Sequence, residues 1–259
     1  MPTVQTELGK IGIAEHGNDG TPIVFLHGVG SGKSVWSPQL DYFGRITRAV
    51  AFDYPGYGES DPAADGTTRD DYAAAILSAM TELGVAKAHI CGLSLGGVIA
   101  IAMYAIAPHR CESLILADTF ALHADGQGIY ERSVAASGDL RALAEARVDL
   151  LLAQPADPEI RKDVVETMAR IDPASYRIGA EAVWLADQRD RVRQIRVPTL
   201  VICGSEDKVT PPELSHELVD LIPNARFEEI LHSGHLSNLE RSADFNRLVD
   251  EFLDQVESS

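Results

Sequence analysis

The sequence contains the segment His89-Ile-Cys-Gly-Leu-Ser94-Leu-Gly-Gly97, which runs directly into the apolar residues 98–107. Its first part, His89–Cys91, predicts a short buried strand, and Leu95–Ala107 predicts a helix buried on nearly all sides. Between them, Gly92–Gly96 matches Gly-x-Ser-x-Gly, whose glycines allow a sharp turn from strand to helix without side-chain clashes. The motif alone is a weak signal, but this context predicts that Ser94 is a nucleophile exposed at the end of the strand.

Further short apolar runs occur on both sides of this segment, and amphipathic helical patterns lie between them. The runs are Ile23–Leu26, Ala49–Phe52, Leu114–Ala117, Leu200–Cys203 and Phe227–Ile230. The helical patterns are Asp70–Leu83, Glu213–Ile222 and Ala243–Val256. Most of the runs are nearly continuously apolar, as in strands buried on both faces. The alternation of strand and helix predicts an α/β fold with a mostly parallel central sheet and helices on both faces.

Residues 121–193 interrupt this alternation, because they contain no strand-like run. Four helical segments occur instead, at Ile129–Ala136, Leu140–Ala153, Glu159–Arg170 and Ala174–Gln188. Two Asp-Pro pairs, Asp157-Pro158 and Asp172-Pro173, are typical helix starts. The region is too long for a plain crossover. We therefore predict a core formed by residues 1–120 and 194–259, with residues 121–193 inserted as a helical cap.

Composition and charge exclude several classes of protein. The 259 residues are 45% hydrophobic and 24% charged, which is typical of a globular protein, and the formal net charge is −17. Such a negative field makes nucleic acids and membrane surfaces poor partners. The three cysteines, Cys91, Cys111 and Cys203, have no CxxC spacing that would indicate a disulfide framework or a zinc site. With no signal peptide or membrane-length apolar segment visible, we expect a soluble cytoplasmic protein that acts on a small molecule; the oligomeric state is not indicated.

A nucleophilic serine needs a base, and the base needs an acid to orient it. Asp207 follows the run Leu200–Cys203, and His235 follows the run Phe227–Ile230. If the strands are parallel, both loops lie at the same sheet edge as Ser94, which is where open α/β sheets place their sites. The sequence thus predicts a catalytic triad of Ser94, His235 and Asp207.

Each role in the triad has a competitor. Glu206 is adjacent to the predicted acid, and Asp118 ends another strand and ranks second for that role. His232 lies three residues before the predicted base, while His89 is interpreted as a strand histidine. A metal site formed by His232, His235 and Asp207 is an alternative, but the H-x-x-H spacing on a loop lacks the usual helical arrangement of ligands.

An oxyanion hole requires two backbone N–H groups directed at the developing negative charge. One is expected from Leu95, the residue after the nucleophile, and the other from Val29 in the loop after Ile23–Leu26. Ser31 lies in the same loop and is either an additional donor or a turn residue.

The same loop, His27-Gly-Val-Gly-Ser-Gly-Lys33-Ser34, also resembles a phosphate-binding loop, which suggests a nucleotide-binding alternative. In that reading Asp118 would hold the magnesium ion. The motif G-x-x-x-x-G-K-[ST], however, requires glycine where His27 stands. A loop that is one residue short cannot wrap a phosphate with the same amides.

Over almost its whole length the sequence resembles the α/β-hydrolase superfamily, and more narrowly its 3-oxoadipate enol-lactonase-like branch. The superfamily resemblance rests on His27-Gly28, Phe52–Ser60, Gly92–Gly97, Pro198–Asp207 and Gly234-His235. The branch resemblance rests on Trp36–Leu40, Leu116–Thr119, Val197–Val201, Val209–Pro212 and His235–Glu240. It implies a lactonase or carboxylesterase that needs no cofactor or metal. The chain departs from the branch in substrate-facing parts, because Tyr130 precedes Arg132 where a Trp is usual, and Asp149–Leu152 replaces an Arg-Trp-Phe run.

We therefore predict a serine hydrolase that cleaves a carboxylic ester or lactone through an acyl-enzyme. Two alternatives remain open: a C–C bond hydrolase acting on meta-cleavage diketones, and a slow or inactive ligand receptor of the same fold. The candidate pocket residues are Trp36, Arg132 and Trp184, and the candidate cations for a substrate carboxylate are Lys33, Arg132 and Arg141.

Overall fold

The computed structural model describes residues 2–258, in which eight strands form one sheet. The strands are β1 (Thr3–Thr6), β2 (Gly9–His16), β3 (Ile23–Leu26), β4 (Ala49–Phe52), β5 (Ala88–Leu93), β6 (Cys111–Ala117), β7 (Thr199–Gly204) and β8 (Ala225–Ile230). Their order in the sheet is β1-β2-β4-β3-β5-β6-β7-β8. Strands β3 to β8 are mutually parallel, whereas β1 pairs antiparallel with β2 and β2 with β4. The predicted mostly parallel sheet is confirmed, and β1 and β2 add an antiparallel edge that the sequence analysis did not predict.

Helices connect the strands and cover the sheet. They are α1 (Ser37–Phe43), α2 (Arg69–Glu82), α3 (Leu95–Ile106), α4 (Gly126–Ala136), α5 (Leu140–Leu151), α6 (Pro158–Ala169), α7 (Pro173–Trp184), α8 (Arg189–Val192), α9 (Pro212–Leu221), α10 (Ser237–Glu240) and α11 (Ser242–Glu257). Residues Leu95–Tyr104 of α3 are buried without interruption, as its uniformly apolar sequence predicts. This helix contacts β3, β5 and β6, so it fixes the turn that precedes it against the centre of the sheet.

Helices α4 to α8 all lie between β6 and β7 in the chain. The side chains of Asp157 and Asp172 accept hydrogen bonds from the first amides of α6 and α7, so the predicted Asp-Pro helix starts are confirmed. The division into a core and a cap at residues 121 and 193 stays a prediction. No helix within residues 2–258 has both the length and the apolar character that crossing a membrane requires.

Candidate active site

Ser94 occupies the turn between β5 and α3 in a strained backbone conformation, with φ 54° and ψ −115°. A Cβ on Gly92 would collide with the Gly96 carbonyl, and a Cβ on Gly96 would collide with the Leu26 carbonyl. The Ser94 amide donates to the Ala117 carbonyl at 3.0 Å, which ties the turn to β6. The two glycines of the motif are therefore required by close backbone packing, as predicted.

Asp207 lies in the loop after β7 and is held by its immediate neighbours. Its Oδ1 accepts the amides of Val209 at 2.7 Å and Thr210 at 2.9 Å, and its Oδ2 accepts the Thr210 hydroxyl at 2.7 Å. Burial of the carboxyl opposes ionisation, but the positive charge on His235 and these hydrogen bonds lower its pKa overall. The carboxylate is thus fixed in place and kept ionised.

The His235 imidazole is paired with this carboxylate, at 2.8 Å between Nδ1 and Asp207 Oδ2. This contact assigns the Nδ1 proton to the side facing Asp207 and leaves Nε2 for other partners. Burial lowers the pKa of His235, but the charge and hydrogen bond of Asp207 outweigh it and raise the pKa above 6.5. The structure therefore brings together the predicted base and acid, and both His235 and Ser94 line one cavity.

The competitors of this pair make other contacts. Asp118 is fully buried; its Oδ1 accepts the Gly204 amide at 2.8 Å, and its Oδ2 accepts the Ser237 hydroxyl at 2.5 Å. It therefore joins the strand end before Asp207 to the helix start after His235. The side chain of His232 is 77% exposed and lies 3.8 Å from Glu206, away from the cavity.

Asp118 is a buried carboxyl group whose surroundings disfavour its ionisation. Burial, together with the nearby Asp207 carboxylate, raises its pKa to about 8. Ionisation of Asp118 is therefore disfavoured, which makes it a weaker candidate than Asp207 for the acid that orients the histidine. Asp207 keeps its charge because His235 is close to it.

A metal site has a weak basis in this structure. In the part of the chain that it describes, one group of side chains comes close enough to share a metal ion. It consists of Asp118, Cys203 and Asp207, whose ligand atoms lie within 4.8 Å of one another. All the carboxylate oxygens of this group already accept hydrogen bonds from protein donors. Burial also raises the pKa of the Cys203 thiol, which disfavours the thiolate that a metal needs.

The loop after β3 faces Ser94. A Cβ on Gly28 would lie 3.5 Å from the Ser94 Cβ and 3.9 Å from its Oγ. The buried hydroxyl of Tyr54 donates to the His27 carbonyl at 2.9 Å, and that of Tyr57 donates to the Val29 carbonyl at 3.1 Å. These bonds fix the loop that carries the Val29 amide, and the Leu95 amide begins α3 directly after the serine.

Lys33 explains why this loop is not a phosphate cradle. Its ammonium group is buried and forms ion pairs with Asp53 and Glu59, and its own amide donates to Asp53 at 2.8 Å. Because these two carboxylates already neutralise its charge, Lys33 is not free to bind a phosphate group. The structure therefore supplies a structural role for the residue that most resembled a nucleotide-binding motif.

The cavity that contains Ser94 and His235, here called the serine cavity, has a volume of about 450 Å³. Its wall is mostly apolar. The apolar lining residues are Val29, Val35, Pro38, Leu93, Leu151, Val164, Met168, Trp184, Val209, Leu236 and Leu239. Helices α5, α6 and α7 supply part of this wall, so the inserted helices cover the serine.

Of the three predicted pocket residues, Trp184 lines the serine cavity and the other two do not. Trp36 is fully buried between Phe25, at 4.9 Å between ring centroids, and Phe245, at 5.9 Å. Its large apolar ring is used in the core between sheet and helix. The Arg132 side chain is 67% exposed and pairs with Asp125 at 2.6 Å, so neither Trp36 nor Arg132 lines the serine cavity.

The sequence analysis missed Arg147, which lines the serine cavity from α5. One nitrogen of its guanidinium, Nη1, lies 3.2 Å from the Tyr176 hydroxyl and 3.4 Å from the Ser133 hydroxyl. A signal was present, because Arg147 falls on the apolar face of α5 at helical spacing from Leu143 and Ala144. The cations that were predicted instead, Lys33, Arg132 and Arg141, are each in an ion pair with a carboxylate.

A parallel sheet with a serine on the turn between a central strand and a buried helix defines an α/β hydrolase. The family model described as the alpha/beta hydrolase family matches residues 23–248, and the chain belongs to that family. The predicted fold class and the predicted superfamily are thereby confirmed.

The comparisons with individual proteins agree with the predicted branch. The chain is 28% identical to 3-oxoadipate enol-lactonase 1 of Acinetobacter baylyi over 239 residues, covering 91% of this chain and 89% of that one. It is also 28% identical to a 2-hydroxy-6-oxononadienedioate/2-hydroxy-6-oxononatrienedioate hydrolase of Paraburkholderia phymatum, with 90% and 87% covered. The crystal structure of the enol-lactonase from Burkholderia xenovorans LB400 superimposes with a TM-score of 0.91 at 27% identity, covering 98% of this chain and 100% of that chain. The chain is thus a member of the alpha/beta hydrolase family that is similar to enol-lactonases.

Proposed function

We propose that the protein hydrolyses a carboxylic ester or lactone through an acyl-enzyme on Ser94. The observation that carries this proposal is the convergence on one cavity of the strained Ser94 turn and of His235, whose Nδ1 is fixed by Asp207 at 2.8 Å. A serine at such a turn next to an oriented imidazole is the arrangement that acyl transfer requires. The similarity to enol-lactonases supports the same reaction class.

In the first half-reaction, His235 takes the Ser94 proton and Oγ bonds to the substrate carbonyl carbon. The amides of Val29 and Leu95 stabilise the oxyanion. The tetrahedral intermediate then expels the alkoxide, which receives the proton from His235, and the acyl group remains on Ser94. Asp207 stabilises the imidazolium that exists between these two proton transfers.

In the second half-reaction, water takes the place of the alcohol. His235 removes a proton from the water as the oxygen attacks the acyl carbon, and then returns that proton to Ser94 Oγ. The products are the carboxylic acid and the alcohol, which in a lactone belong to one molecule. The mostly apolar wall of the serine cavity strengthens the electrostatic interactions around the reacting groups.

The test is steady-state hydrolysis of an uncharged aryl ester and an uncharged lactone by the wild-type protein and by Ser94→Ala. We expect turnover of at least one compound, and a loss of several powers of ten in kcat on substitution. Turnover that survives the substitution unaltered would contradict the proposed nucleophile. A folded wild-type protein that hydrolyses neither compound and forms no adduct with a fluorophosphonate would instead favour a ligand receptor.

A second candidate is hydrolysis of a carbon–carbon bond in a meta-cleavage diketone. The observation that favours it is the similarity to the Paraburkholderia phymatum hydrolase, whose 28% sequence identity is the same as that of the Acinetobacter baylyi enol-lactonase. A vinylogous diketone assayed beside the ester and the lactone discriminates between the two reactions. The candidate with the higher kcat/KM is retained.

A further inference from the structure

Two consecutive buried residues follow β6, and both contact segments that carry proposed catalytic residues. They are Asp118 and Thr119, here called the β6 pair. Between them they contact the segments of Ser94, Asp207 and His235. Neither member of the pair lines the serine cavity, and the proposed reaction gives neither of them a role.

Asp118 connects the segment of the proposed acid to the segment of the proposed base. Its Oδ1 accepts the Gly204 amide at 2.8 Å, and the Gly204 carbonyl accepts the Asp207 amide at 3.1 Å. A single residue at the end of β7 therefore lies between the two aspartates. On the other side, Asp118 Oδ2 accepts the hydroxyl of Ser237, which is two residues after His235, at 2.5 Å.

Thr119 connects the same strand end to the turn that carries the nucleophile. Its hydroxyl donates to the Ser94 carbonyl at 2.8 Å, and this carbonyl also accepts the amides of Gly97 and Val98 in the first turn of α3. Gly97 leaves the space for this contact, because a Cβ there would lie 2.5 Å from Thr119 Cγ2. The contact therefore explains a glycine that lies outside the Gly-x-Ser-x-Gly motif.

The backbone at Asp118 is strained. Its φ of 46° is positive, as are the φ angles of the non-glycine residues Ser94 and His232. This conformation is uncommon outside glycine and persists where the surrounding structure holds it. Burial of a carboxyl group adds a further cost unless the group is hydrogen-bonded, as it is here. Such strain is concentrated at functional sites, so the strand end has more than a packing role.

We propose that the β6 pair are positioning residues, which hold Ser94, Asp207 and His235 in a common alignment. The inference rests on the proposed acyl-enzyme reaction and deepens it, because the pair acts through the three residues and does not touch the substrate. A misplacement of about 1 Å can lower a reaction rate about 100-fold. Loss of these hydrogen bonds should therefore lower catalysis even where the fold is retained.

The test compares two variants at each position, one that removes the hydrogen bond and one that keeps it. Asp118→Gly removes the carboxyl and accepts the positive φ, whereas Asp118→Asn keeps an acceptor and a donor in the same place. Thr119→Val removes the hydroxyl and Thr119→Ser keeps it. On an uncharged aryl ester, kcat/KM should fall roughly 10- to 100-fold in Asp118→Gly and about 3- to 10-fold in Thr119→Val. The conservative variants should recover most of each loss.

Thr199→Val is the matched control. Thr199 is also buried, and its hydroxyl donates to the Val197 carbonyl at 3.1 Å, but it lies at the start of β7, away from the catalytic edge. Its loss should leave kcat/KM unchanged. Thermal unfolding confirms that each variant is folded, and the Thr119 variants decide the result if Asp118→Gly does not fold. Equal kcat/KM in the two variants of each position overturns the proposal.

A second measurement separates positioning from a general disturbance of the fold. In a His235→Gln background the triad cannot operate, so the residual hydrolysis does not depend on its alignment. Asp118→Gly and Thr119→Val should therefore cause no further loss when they are added to His235→Gln. A loss that multiplies that of His235→Gln would show that these residues do not act through the triad, which overturns the proposal.

Proton NMR of the His235 Nδ1–H group distinguishes failure of this inference from failure of the proposed function, because it needs no turnover. The resonance is assigned by its absence in His235→Gln. If no ester is hydrolysed but this resonance is lost in Asp118→Gly and kept in Asp118→Asn, positioning is supported and the proposed reaction is wrong. If esters are hydrolysed through Ser94 and the β6-pair variants all keep the wild-type kcat/KM, the reaction stands and positioning is refuted.

Discussion

The carboxyl edge of the sheet and the inserted helices contribute to one cavity, but they are built in different ways. At the sheet edge, backbone amides and short hydrogen bonds fix the polar side chains, as at Asp207 with its two backbone donors. The inserted helices contribute mostly apolar side chains and one arginine, Arg147. Its guanidinium contacts the Tyr176 and Ser133 hydroxyls through Nη1 alone. This difference supports the proposal that the sheet edge carries the reacting groups, and it predicts that the inserted helices determine which substrates reach them.

The two regions are nevertheless joined beside the base. The His235 amide donates to the Leu151 carbonyl at the end of α5 at 2.8 Å. The Glu240 carboxylate accepts the amides of Gly234 and Ala153, each at 2.8 Å, and so links the histidine loop to the chain after α5. A change in the insertion that moves α5 is therefore expected to reach His235 as well.

The largest expected effect comes from comparing the two acids at the sheet edge. Asp207→Asn should lower kcat/KM by about 10⁴-fold, because the amide no longer holds and stabilises the protonated imidazole. Asp118→Asn should lower it by less than about tenfold, because an amide can still accept the Gly204 amide and donate to Ser237. Steady-state kinetics on one uncharged ester measure both. A larger loss in Asp118→Asn would mean that Asp118 is the orienting acid.

The pH dependence of kcat/KM gives the next effect. His235 must be neutral to accept the serine proton, and its pKa is raised above 6.5 mainly by Asp207, against the effect of burial. Activity on an uncharged ester should therefore rise with pH through a midpoint above 6.5 and fall about tenfold per pH unit below it. A midpoint at or below 6.5 would contradict the strong coupling to Asp207.

The raised pKa of His235 also predicts how the free energy of unfolding changes with pH. Because the folded pKa of His235 is raised, its protonated form stabilises the folded state fully below pH 6.5. This contribution should be lost as the pH rises through the folded value. Denaturant unfolding at several pH values, compared between the wild type and His235→Gln, isolates it.

The smallest expected effect separates the two tryptophans. Trp36→Phe removes packing from the core and should lower the free energy of unfolding by about 1–2 kcal/mol, with little change in substrate preference. Trp184→Phe enlarges the serine cavity and should change the preference between small and bulky acyl groups a few-fold. Thermal unfolding and an ester series on both variants check this. A change in preference that is confined to Trp36→Phe would place the pocket elsewhere.

Much of the sheet could be predicted from the sequence, because strands buried on both faces are continuously apolar. Strand β2, Gly9–His16, escaped this test because its ends are partly exposed and it contains Gly12 and Lys10. The short helix α10, Ser237–Glu240, carries no apolar periodicity of its own. The structure of these two elements is determined by contacts with neighbouring parts of the fold, because their own sequences lack a recognisable pattern.

For the site, the motif and the chain order were sufficient to select Ser94, Asp207 and His235, because backbone geometry at strand ends determines their positions. The pocket was harder to predict. Trp36 and Trp184 are the same residue type, each next to a loop, and only packing places one in the core and the other at the cavity. Whether the Arg147 guanidinium is paired with a carboxylate depends on which side chains the fold brings near it, and the sequence does not specify those neighbours.

The most direct test of the central claim is covalent labelling with a fluorophosphonate, followed by mass measurement of the intact protein and of its peptides. The proposed mechanism predicts one adduct per chain, located on Ser94, absent in Ser94→Ala and formed much more slowly in His235→Gln. An adduct on another residue, or a folded wild-type protein that forms none, would contradict the assignment of Ser94 as an activated nucleophile.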